Sequence, residues 1–318
     1  MFIYIVRRLL QLIPLLLVFS LLTFGIFQLQ PGDPIKSFVD RSLLSDPAEV
    51  ERARHRLGLD QPWYVQYVKW LGHLVQGDMG RSFITNEPVA QTLGRAIPVS
   101  LKLNLWSFFI SFSLAILIGV LSATRRYSLM DHITTLFSFA GIAIPTFWLG
   151  ILTMLLFSVK LKWLPATGMY SYEHKGEFLD TVKHMIMPVF VLSVGQIAAT
   201  SRYVRSSLLE VLRLDYIRTA RSKGLSERVV IYRHALRNAL MPVITFLGLN
   251  LAGFIGGSLI VENIFGWPGM GRAQINGVFQ KDYPIVLGAN TLFFLLTVIG
   301  NLIADVMYAV VDPRVKFS

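Results

Sequence analysis

The sequence predicts an all-α polytopic membrane protein of six transmembrane helices with both termini on the cytoplasmic side (N-in/C-in). Three observations carry this. Of the 318 residues, 53% are apolar and 15% charged, with a mean hydropathy of +0.55, a balance that suits lipid as the solvent. Six runs with little or no charge approach the roughly 20 residues that a helix needs to cross a bilayer core. The net charge of +11 sits on basic residues beside those runs, not on a continuous soluble face, which argues against nucleic acid as a partner.

The first run, Leu9 to Phe27, follows Arg7-Arg8. It is longer than the apolar part of a secretory leader and no small-x-small site follows it, so residues 1–30 are expected to remain as an N-terminal anchor. Residues 31–97 read as an extracytoplasmic segment. It opens on the turn Pro31-Gly32-Asp33-Pro34, and Trp63, Tyr67, Trp70 and Leu74 recur within it at helical spacing. That spacing predicts an amphipathic helix lying on the membrane lipid or on neighbouring spans.

Residues 98–311 hold the remaining spans. The second, Val99 to Ala123, ends at Arg125-Arg126. The third, Ile133 to Val159, contains Pro145, which is expected to kink or break it. After a polar loop, Lys160 to His184, the fourth span, Met185 to Ser201, leads to Arg202 and Arg205. The fifth, Leu240 to Val261, carries Gly248, Ala252 and Gly256 at four-residue steps, which favour close helix packing. Glu262 to Pro284 reads as an external loop with tight turns at Pro268 and its glycines. The sixth, Ile285 to Ala304, leads to a cytoplasmic tail ending in residues 312–318.

Orientation follows from the Lys/Arg count. The pieces assigned to the cytoplasm carry 15 Lys/Arg against 6 Asp/Glu, and the external pieces 14 against 13. Eight of the external basic residues lie between Gln30 and Ile97, and segments longer than about 60 residues cross largely regardless of charge. With that segment set aside the count is 15 against 6.

The longest cytoplasmic segment, residues 202–238, contains the stretch around which the chain is organised. Asp215 is placed to cap a short helix from Tyr216 to Lys223, Gly224 to end it in a left-handed conformation, and Ser226 to cap the next helix. Ile217 and Ala220 fall on one face, with Leu225 just past the turn, while Arg218, Arg221 and Lys223 lie elsewhere. A soluble partner is expected to take the apolar edge in a groove and to meet the basic flank. A plain positive cytoplasmic loop is the simpler reading.

The run Tyr216-Ile-Arg-Thr-Ala-Arg-Ser-Lys-Gly-Leu-Ser226, followed by Arg233-His-Ala-Leu-Arg-Asn-Ala-Leu-Met-Pro242, closely resembles the coupling loop of ATP-binding-cassette (ABC) importer permeases of the dipeptide, oligopeptide and nickel subfamily. Only Ala220 and Gly224 keep the general Glu-Ala-Ala-type pattern, since Arg218 and Thr219 stand where Glu and Ala are usual. Two further segments resemble the same subfamily: Gly77-Asp-Met-Gly80-Arg-Ser82 with the preceding aromatic helix, and Val261-Glu-Asn-Ile-Phe-Gly-Trp-Pro-Gly-Met-Gly271.

The resemblance implies a type I ABC importer permease fold in a prokaryotic cell membrane. It implies as partners a second homologous permease subunit, two cytoplasmic ATPase subunits and an external substrate-binding protein. Tyr216, Ile217, Arg218, Ala220, Arg221, Lys223, Gly224 and Leu225 would couple to the ATPase, and Trp63, Tyr67, Trp70 and Trp267 would meet the binding protein. A peptide substrate is implied first and a nickel chelate second.

Among the polar residues inside the apolar runs, Gln196, Asn250 and Asn290 are candidates to line a pathway; bonding to a neighbouring helix is the alternative. No glycine is followed by lysine, so the chain carries no phosphate-binding loop. ATP and Mg are therefore expected at partner subunits, with no cofactor or metal held here, and the chain is not expected to be an enzyme. The six histidines lie at no metal-ligand spacing. A secondary transporter or channel is the rival class, but it should carry intramembrane carboxylates or histidines, and the span interiors have none.

Overall fold

A computed structural model describes residues 2–29, 35, 47–56, 58–241 and 256–311, and every regular element among them is helical. In chain order these are α1 (Phe2–Gln28), α2 (Pro47–Arg56), α3 (Trp63–Val75), α4 (Val89–Thr124), α5 (Leu129–Ala143) and α6 (Thr146–Thr153). After them come α7 (Phe178–Val211), α8 (Asp215–Ser222), α9 (Glu227–Val229), α10 (Leu236–Ala239), α11 (Leu259–Ile264), α12 (Met270–Gln280) and α13 (Tyr283–Val311). Two π-helical stretches occur, Met154–Lys160 after α6 and Val230–Ala235 between α9 and α10.

Four helices, α1, α4, α7 and α13, are long and apolar enough to cross a membrane, and the α5–α6 pair makes a fifth if counted as one bent span. The expected fifth span, Leu240 to Val261, lies largely outside the described residues. The bend at Pro145 is a break of 101°, sharper than a packing kink. Pro145 has no N–H to give, sits extended at ψ 133°, and starts α6 as its cap. Some expected boundaries move. α4 begins at Val89 and runs through Pro98, and α7 reaches from Phe178 to Val211, so Arg202 and Arg205 lie on the helix rather than after it.

The central contact is α4 against α7. Gly119 allows it: a Cβ there would lie 2.8 Å from the Val204 Cβ and 2.9 Å from the Ser201 carbonyl oxygen. Small residues at a crossing let two backbones approach closely. Hydroxyls add cross-links along the same seam, with Ser193 Oγ donating to the Ser107 carbonyl at 3.2 Å and Ser111 Oγ to Gln196 Oε1 at 2.8 Å.

At one end of the bundle α1 and α13 run antiparallel, with Phe19 stacked on Phe294 at 4.3 Å and Phe27 beside Tyr283 at 5.3 Å. The amphipathic helix α3 lies across the end of α1, and its Tyr67 bonds Ser20 Oγ at 2.9 Å and meets the edge of Phe24. Ser82 Oγ and the Phe83 N–H donate to Asp282 at 2.5 and 3.0 Å, tying the loop before α4 to the start of α13. The segment read as a turn-rich loop after residue 262 is instead mostly helical. Pro268 and Gly269 separate α11 from α12, and α12 rests on α13 with Gly277 against Ile285 and Val286.

Candidate functional site

The other end of the bundle is built around α8. The chain leaves α7 and turns at Leu214 in an extended conformation (ψ 149°), and Asp215 then opens the helix. Asp215 was expected as a side-chain cap; it is the first helical residue, exposed, with its carboxylate on Arg218 at 3.3 Å. Aspartate in the first turn and Arg221 in the last complement the helix dipole. Gly224 ends the element at φ +77°, the left-handed conformation expected of it.

Ile217 and Ala220, three residues apart, share a face. They were expected to enter a partner's groove, and here the structure differs: Ile217 is fully buried and Ala220 is 7% exposed. Both pack into this chain's own core with Val120 and Ala123 of α4, Val204 and Leu208 of α7, and Val230, Ala235 and Ala239 of the following segment. The reason is local. Those positions are apolar and, apart from Leu208, alanine or valine, which leaves an apolar socket within reach of an eight-residue helix, so the apolar edge is satisfied internally.

Tyr216 and Leu225, each 39% exposed, remain as apolar groups on the outer side. With them lie Arg218, Arg221, Lys223 and Gly224, and every residue from Arg221 to Arg228 is exposed. Asn238 Nδ2 donates to Tyr216 Oη at 2.8 Å. The Arg221 guanidinium spans the turn to Glu227 at 2.7 and 3.3 Å and holds the Glu227 carboxyl below its ordinary range. That pair clips α8 to α9, although its exposure keeps its contribution small.

Behind α8 lies a pair that sequence reasoning missed. Asp131, in the first turn of α5, is buried and accepts from Arg205 of α7 at both oxygens, Nε at 2.7 Å and Nη2 at 2.8 Å. Ser122 Oγ and the Tyr127 N–H, at 3.0 Å, complete its shell. One carboxylate thus joins the end of α4, the turn after it, α5 and α7. Ser128-x-x-Asp131 is a readable helix start, with Ser128 Oγ taking the Asp131 N–H. The partner 74 residues away is not readable.

At the opposite end, Glu262 was also missed. Its side chain is fully buried and accepts from Ser100 Oγ at 2.7 Å and from the Ser258 and Arg272 N–H groups at 3.2 Å each. Burial pushes its carboxyl above the ordinary value against those donors. Gly269 has to be glycine here, since a Cβ would fall 2.3 Å from Ser100 Oγ and 2.5 Å from Glu262 Oε2. Glu262→Gln should cost about 1–3 kcal/mol, because the amide nitrogen then faces backbone N–H groups left without an acceptor. Thermal unfolding of the purified variant against wild type checks it, with a lower Tm expected.

The four aromatic docking candidates separate. Trp267 is fully buried, its indole N–H donating to the Val99 carbonyl at 3.1 Å amid Leu103, Met185 and Val189, so it holds α4 to α7 and offers no surface. An indole is wide enough to fill that gap and still place a donor on the Val99 carbonyl. Tyr67 and Trp70 turn toward Phe24 of α1. Trp63 is 51% exposed. Of the pathway candidates, Gln196 is exposed on α7 and bonded to Ser111. Asn290 is half-buried and accepts from Gln274 of α12. Asn250 lies outside the described residues.

A bundle of membrane-length helices, broken once and carrying a short basic helix slung between α7 and the next segment, defines an all-α polytopic membrane protein of the permease class. The chain belongs to the family described as binding-protein-dependent transport system inner membrane component, which matches residues 115–317, and the N-terminal membrane component of such systems matches residues 1–104. It is 44% identical over 315 residues to the oligopeptide transport system permease protein AppB of Bacillus subtilis, covering 99% of each chain. It is 40% identical over 331 residues to the di/tripeptide transport system permease protein DppB of Pseudomonas aeruginosa, covering 98% of each. A putative peptide permease protein of Brucella suis is 39% identical over 316 residues, with 99% of each covered.

Proposed function

We propose that this chain is one permease half of an ATP-driven peptide importer and that α8 transmits the motion of a separate cytoplasmic ATPase to the pathway. The observation that carries this is the two-sidedness of α8. Its inner face is locked by Ile217 and Ala220 into the ends of α4 and α7, while its outer face and the turn after it, residues 221–228, are exposed and basic. A helix held this way cannot shift without moving α4 and α7. Tyr216, Arg218, Arg221, Lys223, Gly224 and Leu225 form the surface offered to the ATPase, and Ile217 and Ala220 couple by holding α8 to the spans.

In this reading six spans run N-in and C-in, the fifth within Leu240 to Val261. A second, homologous permease completes the pathway, and an external binding protein delivers the peptide, with Trp63 as the outward aromatic near its landing area. Gln196, exposed on α7, suits a pathway wall better than the half-buried Asn290. ATP and Mg act at the ATPase subunits. Peptide is favoured over a nickel chelate because relatives matched over nearly their whole length include an oligopeptide and a di/tripeptide permease.

Gly224 supplies the test. A Cβ there meets nothing within 4 Å inside this chain, and the left-handed conformation costs an Asp or Ala only about 1–2 kcal/mol. Gly224→Asp should therefore leave the permease folded and reduce recovery of the ATPase on co-purification, whereas Gly224→Ala should reduce it less. Undiminished ATPase recovery with Gly224→Asp would remove the docking role of this turn.

A further inference from the structure

Where α1 ends and α13 begins, next to α3, lies a cavity of about 530 Å³ that plays no part in coupling. Phe24, Phe27 and Leu287 line it, and they belong to the apolar runs that end at Phe27 and start at Ile285, so the cavity lies at the edge of the hydrocarbon. Lys69 and Arg81 line it as well. The imidazoles of His55 and His73 also line it, each beside its own carboxylate, Asp60 at 3.9 Å and Asp78 at 3.7 Å. Lys69 and Arg81 make no ion pair among the described residues, Arg81 spending one N–H on the Asn86 carbonyl at 2.9 Å.

A second observation points to an occupant. Among the described residues two buried polar atoms have no hydrogen-bond partner, Gln61 Oε1 and Trp70 Nε1, and both residues line this cavity. A buried donor or acceptor left unpaired is costly, and here one of each belongs to the residues of this lining. The chemistry that answers all of these features is a phosphate monoanion for Lys69 and Arg81, an acceptor oxygen for the Trp70 N–H, a hydroxyl for Gln61, and acyl chains for the phenylalanines. We propose that this cavity binds the headgroup of one anionic glycerophospholipid from the outer half of the bilayer, with its acyl chains along α1 and α13. The lipid would fasten α3 to the first and last spans.

The full-length chain, purified in mild detergent and exchanged into nanodiscs containing phosphatidylglycerol, tests this by native mass spectrometry. Wild type should retain one phosphatidylglycerol after detergent exchange. Lys69→Glu and Arg81→Gln should each lower retention roughly tenfold, the size expected for one charge-assisted hydrogen bond. Trp70→Phe, which keeps the ring packing and loses the donor, should lower it less, and Lys175→Ala, a basic residue away from the cavity, should leave it unchanged. Equal retention across all four variants would overturn the site. An adduct of inorganic phosphate that displaces the lipid at equal concentration would overturn the lipid as its occupant.

Discussion

Ile217→Asp is expected to uncouple transport while leaving the spans assembled. Ile217 is fully buried between α4, α7 and the π-helical turn, and truncation of such a residue to alanine alone costs about 2–5 kcal/mol. A carboxylate in the same socket would meet apolar side chains and would be driven into water, taking α8 with it. The helix has only eight residues, too few to hold its shape away from a tertiary contact. Shifting its docking by about 2 kcal/mol already changes the docked population some 30-fold. ATP-driven peptide uptake into proteoliposomes should therefore fall at least about tenfold, with the permease still recovered at normal yield. Uptake at the wild-type rate would mean that the inner face of α8 does not carry the motion.

Asp131→Ala should destabilise that end of the bundle by a different route. It strands the Arg205 guanidinium and removes the acceptor of Ser122 Oγ and the Tyr127 N–H together. Removing one partner of a buried pair costs about 3–5 kcal/mol, and because Arg205 keeps 28% of its side chain exposed the lower end applies, about 3 kcal/mol. The double variant Asp131→Ala/Arg205→Met should recover part of the loss, since no charge is then left unanswered. A lower Tm for Asp131→Ala, partly restored in the double variant, is the expected pattern; equal Tm values for wild type and Asp131→Ala would show that the pair holds nothing.

The contrast between these residues and the rest of the chain shows what periodicity and composition can and cannot convey. The spans among the described residues were legible because a bilayer sets one length and one chemistry, and α3 because Trp63, Tyr67, Trp70 and Leu74 keep the helical period. The turn at Gly224 was legible because positive φ has a residue preference. Periodicity also places Ile217 and Ala220 on one face, but it does not say whether that face meets the chain itself or a partner; the socket that decides it is assembled from residues 120 to 239.

Trp267 is a similar case. Aromatic residues suit both a buried seam and an exposed interface, and the deciding contact is a carbonyl 168 residues earlier. Asp131 with Arg205, and Glu262 with Ser100, are long-range pairings with no local signature beyond an acid near an apolar run. The segment after Glu262 was read through Pro268 and its glycines as turns, which hid α12, a helix that packs on α13.

The central claim is that the outer face of α8 is held by a separate ATPase on the cytoplasmic side. The chain has no cysteine, so Ser222→Cys on exposed α8 and Lys175→Cys in the polar loop before α7 each give a single thiol. Labelling with a membrane-impermeant maleimide in sealed vesicles of known orientation, with and without the ATPase subunits, is the direct measurement. The expected result is that position 222 reacts only from the cytoplasmic side and is protected when the ATPase is bound, while position 175 reacts only from outside. Labelling of position 222 from outside, or at the same rate with and without the ATPase, would contradict it.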